Sequence, residues 1–440
     1  MASSKLFLGN LSELTSHIIQ YLRRDLGTLH SCILVNRLFC RITIPILWED
    51  PFSVEFTRER HYNFFDIYFS YLIDDDKKRL SDIGIKINPP PFIKPLFSYP
   101  SFIKTLNLHL MKLHTDNLTN DIDKSTTPKS NLICILLFKL FIDSNVSLKD
   151  ISMYFSRTQV LMTEICKIIL NNANNAKFMS NVEKLHLGLE KYQPYPTSFL
   201  ATLPSLIPSI KHLSIWASKN NSFARNLIQS QAQLLSLSLS ELNLDSLKCY
   251  NTLTSIKFVN CNFANDFTYD GLKNLTQLKS LHFNKCSGIT TTFLQPLFDI
   301  TPLKIKSLKV VGVGIRVLDL LLQKIGSHLE NLELNLIVDN ETYFASIMRF
   351  CDKIKFLYLY NIHQKNFNRL NELITHFSKS LRYLSIKNNR FCLGKRITIG
   401  IISMILKVLG QMLPDSLEYL NLDFTFQPND LKVFLDNCRH

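Results

Sequence analysis

The sequence carries none of the short motifs that announce common chemistries. Its ten cysteines include no CxxC pair, and there is no GxxxxGK[ST], no GxSxG and no HExxH. A phosphate-cradling loop, a nucleophile elbow and a zinc-protease helix are therefore not expected. Gly312-Val313-Gly314 lacks the third glycine of a dinucleotide turn. No His or Cys has the spacing of a zinc site. The expectation is a protein with no metal and no cofactor, and not an enzyme. Ser-His-Asp or His-Cys groups that meet only in space leave no such trace.

Long apolar runs are also missing. The longest, Leu132 to Ile142, is too short to span a bilayer and contains Lys139. A buried helix is expected there, and no membrane partner. Met1 to Leu14 include Lys5 but no continuous apolar core, so no secretory leader is expected. Singly placed cysteines fit reduced thiols, hence a cytoplasmic or nuclear location. No Arg/Lys-rich run accompanies the net charge of +14. Half of that surplus lies in residues 301–440, with 19 Lys and Arg against 12 Asp and Glu. Charges that alternate with apolar residues suit a solvated surface. A basic surface can also attract an acidic protein or, as a third choice, nucleic acid.

What is present is a repeat. Leu278-Lys279-Ser280-Leu281-His282-Phe283 has the form apolar-x-x-apolar-x-apolar. The form returns at Ile305 to Val310, Leu329 to Leu334, Ile354 to Leu359, Leu381 to Ile386 and Leu417 to Leu422. From Leu281 the central Leu recurs at Leu308, Leu332, Leu357 and Leu384, in steps of 27, 24, 25 and 27 residues. That period with a short strand marks leucine-rich repeats, and the alternation gives each strand one buried face. The fold class expected is α/β, a horseshoe solenoid with parallel strands on the concave side and helices on the convex side. Leu308, Leu332, Leu357 and Leu384 should be core.

Earlier repeats are irregular. Ile103-Leu106-Leu108 and Leu148-Ile151-Met153 fit the form, with a polar loop from Thr115 to Asn131 and a helix from Leu132 to Ile142 expected between them. Val182, Ile210, Leu234 and Leu253 open four more, for about twelve strands in all. Cys261 and Cys286 occupy the ninth repeat position, where burial is expected, and Asn389 holds that place in a later repeat. His186, His212 and His282 fall on outward strand positions.

The first fifty residues are different. Ser12 can cap a helix with Leu14, Ile18, Ile19 and Leu22 on one face. Thr28 can cap a second, apolar on nearly all sides from Leu29 to Ile42, and Pro45 suits the first turn of a short third helix. Three helices this short cannot bury so much apolar surface alone. The excess either packs on the rest of the chain or receives a partner. After them, His61 to Ile73 are rich in aromatics, Asp74-Asp75-Asp76 suit a loop or helix start, and Pro89-Pro90-Pro91 break regular structure.

Leu11-Ser12-Glu13-Leu14, Ile18-Ile19-Gln20-Tyr21-Leu22, Val35-Asn36-Arg37-Leu38-Phe39-Cys40-Arg41 and Leu47-Trp48 together resemble an F-box. Ser12 stands where that family usually has Pro, Asn36 where it has Cys, and Phe39 where it has Trp. F-box proteins that continue into leucine-rich repeats are an established family. The resemblance implies an F-box over 8–50, an adapter over 51–100 and the solenoid over 101–440. It also implies a function: substrate receptor of an SCF-type ubiquitin ligase. The head would hold a Skp-type adaptor, and through it a cullin, and the repeats would hold a protein substrate. The implied adaptor-binding residues are Leu11, Leu14, Ile18, Ile19, Leu22, Leu29, Cys32, Val35, Leu47 and Trp48, divided between a small core and the adaptor face. Leu14, Ile18 and Val35 are expected on that face. A repeat scaffold or inhibitor that recruits no ligase is the alternative.

Residues flanking the central apolar positions point outward. They are small or polar in two strands (Ser236, Ser238, Ser240; Ser280, His282, Asn284). Further on they are aromatic: Phe356, Tyr358, Tyr360, Tyr383 and Tyr419, with Lys387 and Arg390 beside them. Aromatics with adjacent cations are what protein interfaces favour. These residues are the expected substrate-binding patch, preferring an acidic or phosphorylated segment.

Overall fold

The computed structural model describes residues 12–53, 64–85, 95–119, 128–155, 159–171, 173–189, 196–217, 222–240, 251–264, 270–335, 341–361, 367–387, 399–423 and 427–438. The chain forms two compact units, 1–215 and 216–440.

The first unit opens with three helices, α1 (Ser12–Tyr21), α2 (Leu26–Ile33) and α3 (Arg37–Leu47). Their boundaries differ from the sequence expectation. Asp25, not Thr28, caps α2: its carboxylate accepts from the Thr28 N–H at 3.0 Å and from the Thr28 hydroxyl at 2.6 Å. The chain breaks at Leu34-Val35 because Asn36 starts a new helix, its side chain accepting from the Phe39 N–H at 3.0 Å. Pro45 therefore lies inside α3 rather than opening a further helix. Ile19, Leu29 and Phe39 form the buried centre of the head, with Leu22, Leu26, Cys32, Ile42, Ile46 and Leu47 packed around it.

Next come α4 (Phe64–Ser70) and α5 (Asp74–Asp82). Asp74, Asp75 and Asp76 occupy the first turn of α5, where carboxylates suit the helix dipole. Phe64, Phe65, Tyr68 and Phe69 are all buried, so the aromatic stretch is core. After β1 (Thr105–Asn107) come α6 (Leu108–Thr119) and α7 (Pro128–Asp143); α7 contains the helix expected over Leu132 to Ile142, whereas the two helices take the ends of the expected polar loop, whose residues 120–127 lie outside the described residues. The reasons are local. Asn107 caps α6 by accepting from the His109 and Leu110 N–H groups at 3.0 and 3.1 Å, and Pro128 suits the first position of α7. Strands β2 (Asp150–Phe155) and β3 (Lys184–Leu189) continue the sheet in parallel, and β4 (His212–Ala217) lies at the unit boundary.

The second unit holds β5 (Ser236–Ser240), β6 (Ser255–Val259), β7 (Ser280–Asn284), β8 (Ser307–Val311), β9 (Asn331–Asn335), β10 (Phe356–Tyr360), β11 (Tyr383–Lys387) and β12 (Tyr419–Asp423). All run parallel, each beside its neighbour in sequence. Helices, or a 3-10 turn after β6, return the chain between most of these strands. Leu308, Leu332, Leu357 and Leu384 align in one row and are buried. The strand count and register match the repeat pattern.

One contact joins the repeats at their start. Within each unit, the residue before one strand offers its carbonyl to two N–H groups at the start of the next repeat. Lys149 and Asp150 donate to Lys104, Lys279 and Ser280 to Thr254, and Arg382 and Tyr383 to Lys355. The head takes part: Lys104 and Thr105 both donate to the Glu49 carbonyl at 2.9 Å. Glu49 thus stands where a preceding repeat would, and the head closes the open edge of β1.

Candidate functional site

The head presents two groups of apolar side chains. Ile19 and Leu29 are fully buried, and Leu22, Cys32 and Leu47 pack on them. Trp48 also turns inward, its ring 5.3 Å from Tyr68 and 4.5 Å from Tyr99, centre to centre. Ile19 and Leu29 thus fall in the small core, the inner part of the expected division, and Trp48 is half-buried against Tyr68 and Tyr99. Leu11 lies outside the described residues. Leu14, Ile18 and Val35 are open to solvent, at 52%, 50% and 51% exposure. Tyr21 and Leu34, exposed by 89% and 86%, join them. Leu14, Ile18 and Tyr21 follow the i, i+4, i+7 spacing of one helix face, opposite the buried Thr15 and Ile19. Leu34 and Val35 stand at the break that Asn36 creates.

The second surface is the outward face of β5–β12. Strand register aligns its residues into rows. One row runs Ser236, Ser255, Ser280, Ser307, Asn331, Phe356, Tyr383 and Tyr419. The next runs Ser238, Lys257, His282, Lys309, Glu333, Tyr358, Ser385 and Asn421. The face therefore has a hydroxyl and cation half and an aromatic half.

In the aromatic half, Tyr383 stacks on Tyr419 with ring centres 4.6 Å apart, and lies 5.0 Å from Tyr358 and 6.0 Å from Phe356. The expected patch is contiguous. Tyr360 belongs to it less as a free ring than as an anchored one. Burial and its hydrogen bond with the Glu333 carboxylate push its phenol well above the usual tyrosine range. The expected basic fringe is not open. Lys387 pairs with Asp423 at 3.6 Å, and Arg390 lies outside the described residues. A side-chain pairing between neighbouring strands, invisible without the register, neutralises that cation.

In the polar half, Lys309 pairs with Glu333 and lies 5.8 Å from the Tyr360 ring centre. Lys257 has no carboxylate in ion-pair contact among the described residues. Between the two lysines sits His282, whose ring nitrogen is 2.9 Å from the Ser280 hydroxyl. Burial first, and then the Lys309 and Lys257 charges, push His282 down to about 4. It is neutral at pH 7, in a positive field.

The other residues singled out by sequence have structural roles. Cys261 is buried, its thiol 3.4 Å from the Val259 carbonyl, and Cys286 is buried likewise, 3.5 Å from the Asn284 carbonyl. Asn389 lies outside the described residues. His186 meets Asp150 at 3.8 Å, and burial pushes His212 down. Many basic residues join ion-pair ladders across the repeats. Glu183 lies between Lys149 and Lys211 at 3.0 and 3.1 Å, and Glu330 between Lys306 and Lys355 at 2.8 and 3.1 Å. Among the described residues no group of three or more His, Cys, Asp or Glu could hold a metal ion, and no helix is long and apolar enough to cross a membrane. No protein-family model matches the chain, and no curated protein matches it.

Proposed function

We propose that the chain is a substrate receptor of an SCF-type ubiquitin ligase. The observation that carries the reading is the set Leu14, Ile18, Tyr21, Leu34 and Val35. These apolar side chains are exposed on a head whose own core is already complete. Large apolar side chains without cover are what a partner removes from water. The adaptor is a Skp-type protein that buries them, and the outward face of the repeats holds the substrate. The chain performs no chemistry of its own. It raises the effective concentration of a substrate lysine near a charged conjugating enzyme.

The test is binding of a purified Skp-type adaptor to wild type, Ile18→Asp and Val35→Asp. Both variants should lose binding and keep the wild-type melting temperature, since both sites are solvent-exposed. A charge placed in a dry interface costs several kcal/mol. Full binding by both variants excludes the reading, and the scaffold that recruits no ligase takes its place.

A further inference from the structure

The outward face of β5–β12 is divided chemically, and the division fits one kind of ligand. On β6–β8, Lys257, His282 and Lys309 stand side by side in one row, with Ser255, Ser280 and Ser307 beside them in the next. Of the two lysines only Lys309 has a carboxylate partner, Glu333, among the described residues. The Ser280 hydroxyl and the His282 ring are within hydrogen-bond reach of each other. An anion entering there finds an ammonium without a counter-charge, a hydroxyl and an imidazole. Charge-assisted hydrogen bonds of this kind are the strong ones. Burial first, and then the Lys309 and Lys257 charges, lower the proton affinity of His282 against the opposing charge of Glu333.

On β10–β12 the surface changes to rings. Phe356 and Tyr419 are exposed at the two ends of a run that passes through Tyr383. The acids there, Glu418 and Asp423, are paired with Arg382 and Lys387. This half offers apolar contact and no surplus positive charge.

We infer that the face binds an extended peptide whose anionic side chain, acidic or phosphorylated, sits at Lys257 and His282, and whose bulky apolar side chain lies on Phe356, Tyr383 and Tyr419. The inference rests on the proposed reading of this face as the substrate surface. It adds a spacing. Four strand intervals separate β7 from β11, about 19 Å at 4.8 Å each. An extended chain covers about 3.3 Å per residue, so the two side chains stand about six residues apart. A single-stranded nucleic acid fits less well. Its bases need free ring faces, whereas Tyr383 and Tyr419 already lie face to face, 11° from parallel. Its phosphates would also meet Glu333, Glu418 and Asp423.

The experiment uses the full chain and fluorescent synthetic peptides. Each carries one phosphoserine and one tryptophan placed two, four, six, eight or ten residues apart, with one, three, five, seven or nine Gly-Ser spacer residues between them. A second series has glutamate, and a third unmodified serine, in place of phosphoserine. A twelve-nucleotide oligo(dT) is the nucleic-acid arm. Affinity should peak near a separation of six and fall at least fivefold at two and at ten. The unmodified series should bind at least tenfold more weakly. The phosphoserine and glutamate series together show which anion is preferred. Lys257→Ala should remove the difference between the charged and unmodified series. Tyr419→Ala should weaken all three alike. Flat dependence on spacing, no effect of Lys257→Ala, no measurable peptide binding, or tighter binding of oligo(dT) than of any peptide overturns the inference. Adaptor binding, measured on the same preparation, keeps the two readings apart. If the spacing preference is present and adaptor binding absent, only the ligase reading fails. If adaptor binding is present and the preference absent, only this inference fails.

Discussion

The Glu49 carbonyl accepts the Lys104 N–H at 2.9 Å. That bond, with its twin from Thr105, ties the end of the head to the first strand. Glu49 adds a side-chain link, its carboxylate 2.9 Å from Arg23 Nε and 3.7 Å from the Lys104 ammonium. Trp48 next to it is packed on Tyr68 and Tyr99. The head is therefore part of the first unit's fold and not a detachable tag.

A truncation makes this measurable. Removing residues 1–50 leaves two N–H groups at the β1 edge without acceptors and uncovers the Tyr68 and Tyr99 rings. An exposed strand edge is a template for aggregation. The truncated chain should elute as oligomers in size-exclusion chromatography, or melt well below wild type. Ile18→Asp, which touches neither the edge nor the rings, should do neither. A monomeric truncation with the wild-type melting temperature would show that the head contributes nothing to the first unit.

The repeat row gives a second prediction. Leu308, Leu332, Leu357 and Leu384 are all buried to within one per cent of complete. Truncating one to Ala should cost about 2–5 kcal/mol, because a cavity is left behind. In stacked repeats contacts run mainly to neighbours. Hydrogen exchange in Leu357→Ala should therefore accelerate most in β9, β10 and β11. Uniform acceleration across the second unit would mean that it unfolds only as a whole.

The strands were legible in sequence because alternation and a central Leu are local, and every repeat restates them. Helix α7 was legible over Leu132 to Ile142 from its apolar run, but its first turn and all of α6 were not, although Asn107 and Pro128 are recognised start signals. Leu14, Ile18 and Val35 were expected on the outer face and are exposed, but which of the remaining head residues turn inward, Trp48 above all, was not legible. Sorting depends on partners such as Tyr68 and Tyr99, which arrive later in the chain. Lys387 looked like an open cation because Asp423 is its neighbour only through the β11–β12 register.

His282 ties stability to pH. In the folded chain it stays neutral down to about 4, while an unfolded histidine takes its proton near 6.5. The unfolded state then binds more protons between these values. This contribution is complete above about pH 6.5 and is lost as pH falls toward 4. With its ring partly open to solvent, the loss should be roughly 1–2 kcal/mol. Urea titrations at pH 7 and pH 5 check this. The wild-type midpoint should drop further than that of His282→Gln. Equal drops would place the ring's proton uptake elsewhere.

Ser385 offers a gain. It is 1% exposed, and its hydroxyl has no hydrogen-bond partner among the described residues. An unsatisfied buried polar group costs about 1–3 kcal/mol. Ser385→Ala removes that cost for the loss of one small atom. The variant should match or exceed wild-type stability by up to about 1 kcal/mol. A clear loss would mean that a bound water satisfies the hydroxyl.

The aromatic run separates binding from folding by position. Tyr383 has Phe356, Tyr358 and Tyr419 around it, whereas Tyr419 is 54% exposed and Phe356 37%. An aromatic pair contributes about 0.5–1.5 kcal/mol beyond area burial. Tyr383→Ala loses three such contacts and should lower the melting temperature visibly. Tyr419→Ala loses one. It should cost about 1 kcal/mol or less and leave the fold intact. Phe356→Ala should behave like Tyr419→Ala. If the run is a binding surface, Tyr419→Ala combined with Phe356→Ala abolishes substrate capture at nearly unchanged melting temperature, with adaptor binding retained. The informative failure is the reverse pattern. A large fall in melting temperature with capture intact would make these rings a stacked edge of the fold and no more.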